Sequence, residues 1–365
     1  MKYRPLGRTG IRVSQLCLGT MMFGGKSDET ESLRMIDHAI DQGVNFIDTA
    51  DVYAGNESER IVGKALASDN RRDNIILATK FNFANPADRN ARGLSRRHVI
   101  NACDASLKRL KTDWIDLYQM HRCSSAIPID ETLRALDDLV RAGKIRYIGG
   151  SMFPAWRIVE SLWVAKELGL NRLICEQPAY HLLDRTAERE VMPAAQSFGL
   201  AVIPWGPLCG GLLSGKYTRD QQIEGARWQD GKDNANRRAT EQTWEVLDLL
   251  KEMADSKGCS MSQLALAWNM AQPGVTAPII GPRTFEQIED NLRAVDVEMR
   301  EEDFSRIDDW YRQRVTLCAT TTKQMPSIFG RTRIGALCNH KIALGNWLVA
   351  CPTDPRMNQR AYTKN

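Results

Sequence analysis

Eight short β-rich runs alternate with eight amphipathic runs along residues 13–295, and this alternation constrains the fold more than any other feature. The pairs are VSQLCLGT with DETESLRMIDHAIDQG, NFIDTA with SERIVGKALA, NIILATK with SRRHVINACDASLKRL, and IDLYQM with IDETLRALDDLVRAG. IRYIGGS with WRIVESLWVAKELG, RLICEQP with EREVMPAAQSFG, AVIPWGP with TEQTWEVLDLLKEMADSKG, and TAPIIG with TFEQIEDNLRAV follow. A strand covered on both faces reads as a near-continuous apolar run, and a helix covering it shows one apolar stripe. Several helical runs close on glycine (Gly43, Gly143, Gly169), where a left-handed C-terminal residue is least strained.

Consecutive βα units of this number close most simply into a barrel of parallel strands. An open doubly wound sheet is the alternative. It usually places Gly-x-Gly-x-x-Gly after its first strand, and CLGTMMFGG does not fit. The expected fold is an α/β (β/α)8 TIM barrel over residues 1–314. Three segments lie outside the repeat. YRPLGRTGIRV reads as a hairpin turning at Arg8-Thr9-Gly10, SMSQLALAWNMAQPG as an extra helix before the eighth strand, and EEDFSRIDDWYRQR as another after the eighth helix. Periodicity stops near Arg314, so residues 315–365 read as a C-terminal extension with no assigned order.

Charge narrows the partners. The formal net charge is +4, but residues 315–365 hold seven Lys or Arg against one acid, leaving residues 1–314 at −2. That body is not a nucleic-acid binder on charge grounds. MKYRPLGRTG lacks an apolar signal core, and no apolar run reaches the ~18 residues a membrane span needs. Nine cysteines without a Cys-x-x-Cys pair, and five histidines without zinc spacing, read as reduced thiols in a cytoplasmic protein with no metal site.

Catalytic groups of such a barrel sit at the carboxyl ends of its strands. There the second strand ends in Asp48 with Tyr53 five residues on, the third in Lys80, and the fourth in His121. Their chemistry is coherent. A phenol titrates too high to exchange protons easily at neutral pH, and a neighbouring ammonium lowers it. A carboxylate holds the lysine charged, and an imidazole can hydrogen-bond a carbonyl oxygen. The four form a device for moving a proton to or from oxygen on carbon, suited to carbonyl reduction or alcohol oxidation. Each residue alone has an ordinary structural reading; the combination at adjacent strand ends argues for a site.

CGGLLSGKY contains Gly210-x-x-x-x-Gly215-Lys216, one letter short of a P-loop. Tyr217 stands where Ser or Thr would reach Mg²⁺, and no helical pattern follows, so ATP binding is not expected.

The segments FIDTADVYAGNESE, ATK, DLYQMHR, EQPAYHLLDR, GPLCGGLLSGKY and IIGPRTFEQIEDNLRAV, in this order, resemble the aldo-keto reductase family over about residues 3–312. Within it, RGLSRRHVI and ICEQPAYH are similar to a branch of bacterial oxidoreductases and to β-subunits of voltage-gated potassium channels. The resemblance implies a (β/α)8 barrel binding NADPH/NADP+ extended, without a Rossmann fold, and acting on a small-molecule carbonyl or alcohol. It implies that Tyr53 is the general acid–base, tuned by Lys80 and Asp48, with His121 orienting the carbonyl. Gly19, Thr20 and Met21 would lie by the nicotinamide ribose, and Ser151, Met152 and Gln177 by the carboxamide, with Trp205 stacked on the ring. Gly206, Pro207, Leu208, Gly210, Gly211 and Lys216 would lie over the pyrophosphate. Gly281, Arg283, Gln287, Asp290 and Asn291 would clamp the adenosine, and the Arg283 fork would select a 2′-phosphate.

There are departures. The family usually has Asn where Met152 stands, which removes a hydrogen bond of about 1 kcal/mol, and Ser where Gly206 stands. The extension matches no family motif. Two alternatives stay open: a slow or non-catalytic NADPH-binding redox-sensing subunit, and a lyase or isomerase forming a Schiff base on Lys80. His121 favours the reductase, because the channel β-subunits tend to lack it. A homo-oligomer is compatible with this fold.

Overall fold

The computed structural model describes residues 1–67, 71–83, 88–217 and 240–318, with side chains to residue 311. Residues 218–239 and, of the C-terminal extension, residues 319–365 lie outside the described residues.

The chain opens with β1 (Tyr3–Pro5) paired antiparallel to β2 (Arg12–Ser14). Strands and helices then alternate. β3 (Cys17–Gly19), α1 (Glu29–Asp41), β4 (Phe46–Asp48), α2 (Glu57–Leu66), β5 (Ile76–Phe81) and α3 (Arg96–Leu110) come first. β6 (Ile115–Met120), α4 (Ile129–Arg141), β7 (Ile145–Ser151), α5 (Ala155–Glu167), β8 (Leu173–Gln177), α6 (Val191–Phe198) and β9 (Ala201–Val202) continue the pattern. Two helices, α7 (Glu241–Lys257) and α8 (Met261–Met270), precede β10 (Ile279–Ile280); α9 (Phe285–Leu292) and α10 (Glu301–Cys318) follow it. Met1–Trp310 form one compact unit.

Strands β3 to β10 make one parallel sheet of eight in the order β10-β3-β4-β5-β6-β7-β8-β9. Its edge strands also meet. Thr276 N–H donates to Val202 O at 2.8 Å, and Ile279 N–H donates to Pro204 O at 2.8 Å. The sheet therefore curls on itself, consistent with the (β/α)8 class.

Local chemistry supports each element. Asp28 accepts the Glu31 N–H at 2.8 Å to start α1, and Ser260 and Gln263 form a reciprocal capping box at α8. Outside the sheet, Leu16, Ile47, Leu77 and Ile148 pack against helix residues such as Ile36, Val99 and Leu136. Inside it, Phe46, Ala78, Leu117, Cys175 and Ala201 form an apolar floor, joined by Leu6 and Val13. The residues flanking and within the β1–β2 pair thus cover the amino-terminal ends of the strands. Above that floor the buried interior turns polar, with Asp48, Lys80, Gln119 and Gln177 all 2% exposed or less. Buried charge and amide persist only where they satisfy one another, so this is a layer of mutually paired polar groups. Among the described residues no helix is long and apolar enough to cross a membrane.

Candidate active site

Strand register brings the polar layer together. Asp48 ends β4 opposite Gly19 and Ala78, while Lys80 on β5 pairs with Gln119 on β6, which pairs with Gly149 on β7. A Cβ at Gly149 would lie 2.9 Å from Gln119 Cγ, so only glycine leaves room for that amide.

Lys80 Nζ ion-pairs with Asp48 Oδ2 and donates to Thr49 O at 2.9 Å and Tyr53 Oη at 3.2 Å. Those three acceptors use the whole hydrogen-bonding capacity of an ammonium. Asp48 Oδ1 accepts from Gln119 Nε2 at 2.9 Å and from Gln177 Nε2 at 3.1 Å, and Gln177 also donates to Gln119 Oε1 at 3.2 Å. Burial alone would lower the Lys80 pKa, but the Asp48 carboxylate and the Tyr53 phenol outweigh it and hold the ammonium above its ordinary range.

Tyr53 differs from the sequence expectation. Lys80 does pull its pKa down, but burial pushes it up by more, and Asp48 adds to the rise, so the phenol stands above its ordinary value. At neutral pH it keeps its proton, the state an acid must start from. The turn that aims it is strained: Ala54, Gly55 and Asn56 have φ of 47°, 64° and 82°. The Asn56 side-chain amide donates to Asp51 O and braces it.

His121 lies edge-on between two aromatic rings, 5.8 Å from Tyr53 and 4.8 Å from Phe83. Burial, Lys80 and Arg122 push its pKa down to about 3, so the imidazole is neutral across the physiological range. Its Nδ1 is buried with no hydrogen-bond partner among the described residues. A neutral ring can donate to a carbonyl oxygen without competing as an acid.

Around this centre, Thr20 is fully buried, its hydroxyl 2.7 Å from Ser58 Oγ, and Ser58 also lies 3.0 Å from Thr49 Oγ1. Gly19 sits against Ile279 and Ile280, and Met21 is exposed at the rim. Ser151 donates to Gln177 O at 3.0 Å. Met152 adopts φ 60°, a left-handed conformation that asparagine tolerates better than methionine, and its Sδ accepts from Trp205 Nε1 at 3.2 Å.

The segment from Gly206 to Lys216 is a left-handed turn rather than a P-loop. Gly206, Cys209, Gly210, Gly211 and Gly215 all have positive φ, and Cys209–Ser214 form a 3-10 turn after Pro207 and Leu208. The Lys216 side chain folds back beside Gly211, whose φ of 96° favours glycine. Burial, Arg283 and Lys26 all lower the Lys216 pKa, which shows three cations gathered in one region.

The last segment is divided. Arg283 N–H donates to Gln287 Oε1 at 2.8 Å, its carbonyl accepts from Ser27 Oγ at 2.7 Å, and Gly281 has open space where a Cβ would stand. Asp290 instead accepts from Ser260 Oγ at 2.9 Å and Gln263 Nε2 at 2.7 Å, tying α9 to the start of α8, and Asn291 is 4% exposed.

Four residues here escaped the sequence reading. Gln119 had a usable signal, since it precedes His121 by two and so shares its face of the strand. Ser58 and Phe83 had none. Nor did Glu176, a fully buried carboxyl whose Oε1 accepts the Phe153 N–H at 2.9 Å while Oε2 has no partner among the described residues. Burial pushes its pKa up to about 8 against the two backbone N–H groups that lower it. A raised carboxyl pKa contributes stability below its unfolded value and loses it as pH rises through the folded value. Glu176→Gln keeps an acceptor for Phe153, so between pH 6 and pH 9 it should gain about 3 kcal/mol of stability over wild type, from roughly two pH units below the folded value at ~1.4 kcal/mol each. Urea unfolding at pH 6 and pH 9 checks this; an equal difference at both would contradict it.

The residues matching the aldo/keto reductase family model are 15–312. An uncharacterized oxidoreductase, YrpG, of Bacillus subtilis (strain 168) is 42% identical over 318 residues, 85% of this chain and 95% of that protein. A probable voltage-gated potassium channel subunit beta of Oryza sativa subsp. japonica is 37% identical over 302 residues, 81% of this chain and 92% of its own. A versiconal hemiacetal acetate reductase of Aspergillus parasiticus is 34% identical over 335 residues, 85% of this chain and 97% of its own. With the family match spanning most of the sequence and an oxidoreductase and a reductase among its relatives, the chain belongs to the aldo/keto reductase family.

Proposed function

We propose that the protein is an NADPH-dependent oxidoreductase that interconverts aldehydes or ketones and alcohols, with Tyr53 as the proton donor. The observation that carries this reading is the hydrogen-bonded chain Asp48–Lys80–Tyr53 with neutral His121 beside the phenol. When bound, NADPH supplies the hydride. The donors present fit such a group: Lys26, Lys216 and Arg283 gather positive charge for phosphates, and the glycine turn at 210–211 lets backbone approach them. Ser151 and Gln177 supply polar groups for a carboxamide, and half-exposed Trp205 supplies an aromatic face.

The chain's own residues divide the remaining work. His121 hydrogen-bonds the substrate carbonyl oxygen and turns it toward Tyr53. Tyr53 donates its proton to that oxygen as negative charge develops there. Lys80, kept charged by Asp48, stabilises the phenolate that remains. Phe83, Met152 and Trp205 give the mouth an apolar rim. The alternative of a redox-sensing subunit draws on the potassium-channel relative, but the assembled proton donor favours turnover.

Carbonyl-dependent oxidation of NADPH across a panel of aldehydes and ketones tests the reading; tight NADPH binding without turnover of any of them would leave the sensing role. Arg283→Ala is expected to weaken NADPH binding tenfold to a hundredfold, roughly the 1–3 kcal/mol of a charge-assisted contact, with NADH binding little changed. Fluorescence titration with both nucleotides checks it, and an equal loss for both would contradict selection of the 2′-phosphate.

A further inference from the structure

The two most exposed large apolar side chains among the described residues are Trp163 and Trp156, 64% and 58% exposed, both on α5; no other exceeds 42%. They are seven positions apart, two helical turns, and so share one face. Val159, 39% exposed, lies between them. The Lys166 ammonium stands 5.8 Å over the Trp163 ring and the Arg157 guanidinium 5.7 Å over Trp156, so each indole has a cation beside it. A stripe of this kind matches in size the largest apolar patch of a typical free monomer, a patch that often serves a contact. It lies on the outer side of the sheet, apart from the strand ends that carry Tyr53 and His121.

We propose that the α5 face is a self-association surface, occupied by α5 of a second copy of this chain running antiparallel across a two-fold axis. The charge pattern carries the choice of occupant. Glu160 lies three residues before Trp163 and Lys166 three residues after it, in the run ESLWVAK. A two-fold axis through Trp163 sets each Glu160 against the partner copy's lysine at the same position as Lys166, twice over. The same axis packs the two Trp163 rings together, as an isologous interface requires. The area agrees. Two indoles this exposed leave on the order of 150 Å² each, and with Val159 the stripe reaches roughly 350 Å². A homodimer interface of about 800 Å² per partner is about 65% apolar, roughly 500 Å², so the stripe supplies most of its centre. The aliphatic stems of Lys166 and Glu167 extend it.

Sedimentation equilibrium of the full chain over a range of concentrations tests this, beside Trp163→Ala, Lys166→Glu, Glu160→Lys and the double charge swap. Wild type should sediment as a dimer or a higher even assembly. Trp163→Ala and Lys166→Glu should each weaken association at least tenfold with unchanged circular dichroism. Lys166→Glu is the cleaner single change, because Arg157 also pairs with Glu160 at 2.5 Å. The double swap should restore association to within a few-fold of wild type. A wild type that stays monomeric at high concentration overturns the proposal and leaves the face to a different protein. Association that survives Trp163→Ala, or that the double swap does not recover, overturns it equally.

Discussion

Tyr53→Phe is expected to lower kcat/KM for carbonyl reduction a hundredfold to ten-thousandfold, the usual worth of a positioned proton donor, while leaving NADPH affinity nearly unchanged. The substitution removes one oxygen and keeps the ring against His121. Lys80 retains Asp48 and the Thr49 carbonyl, so the buried ammonium stays paired and the fold is undisturbed. Steady-state kinetics beside a nucleotide titration separates the two effects. Loss of nucleotide binding together with activity would mean that the phenol supports the site's structure rather than its chemistry. Retained turnover would mean that the proton comes from elsewhere, with neutral His121 the nearest group to examine.

The second large effect concerns the ion pair beneath the phenol. Asp48 and Lys80 side chains are 3% and 0% exposed. Replacing Asp48 with Asn strands a buried ammonium, and replacing Lys80 with Met strands a buried carboxylate, each at a cost of about 3–5 kcal/mol. The Asp48→Asn and Lys80→Met pair together should cost much less than the sum, because no charge is left unpaired. All three variants should lose most of their activity, since the phenolate left by proton transfer would have no ammonium beside it. Urea denaturation of the four proteins completes the cycle. Additive losses would show that the two groups do not depend on each other.

Much of this was legible in sequence because barrel chemistry collects at strand ends. Asp48, Lys80 and His121 end three successive apolar runs, and neighbours in the repeat become neighbours in the sheet. The helix starts were equally local, since Asp28, Ser95, Ser260 and Thr284 each cap the helix that follows them. What was not legible depends on depth and distance. The direction of the Tyr53 shift turns on how much water the fold removes, and no spacing of Lys80 and Tyr53 encodes that. The partners of Asp290 lie at the start of α8, some thirty residues earlier, so no local pattern shows that this carboxylate ties two helices together. Met152 was read as a lost hydrogen bond; its left-handed backbone and its contact with Trp205 emerge only from the folded turn.

In the proposed reaction the site moves a hydride to a carbonyl carbon while Tyr53 protonates the oxygen. NADPH deuterated at the transferable C4 position, incubated with the protein and an aldehyde it turns over, tests this reaction through mass spectrometry of the alcohol. The expected product carries one deuterium on the carbinol carbon, formed by wild type and nearly abolished by Tyr53→Phe. Substrate trapped on Lys80 by borohydride with no nicotinamide requirement, or alcohol formed without the label, would contradict it.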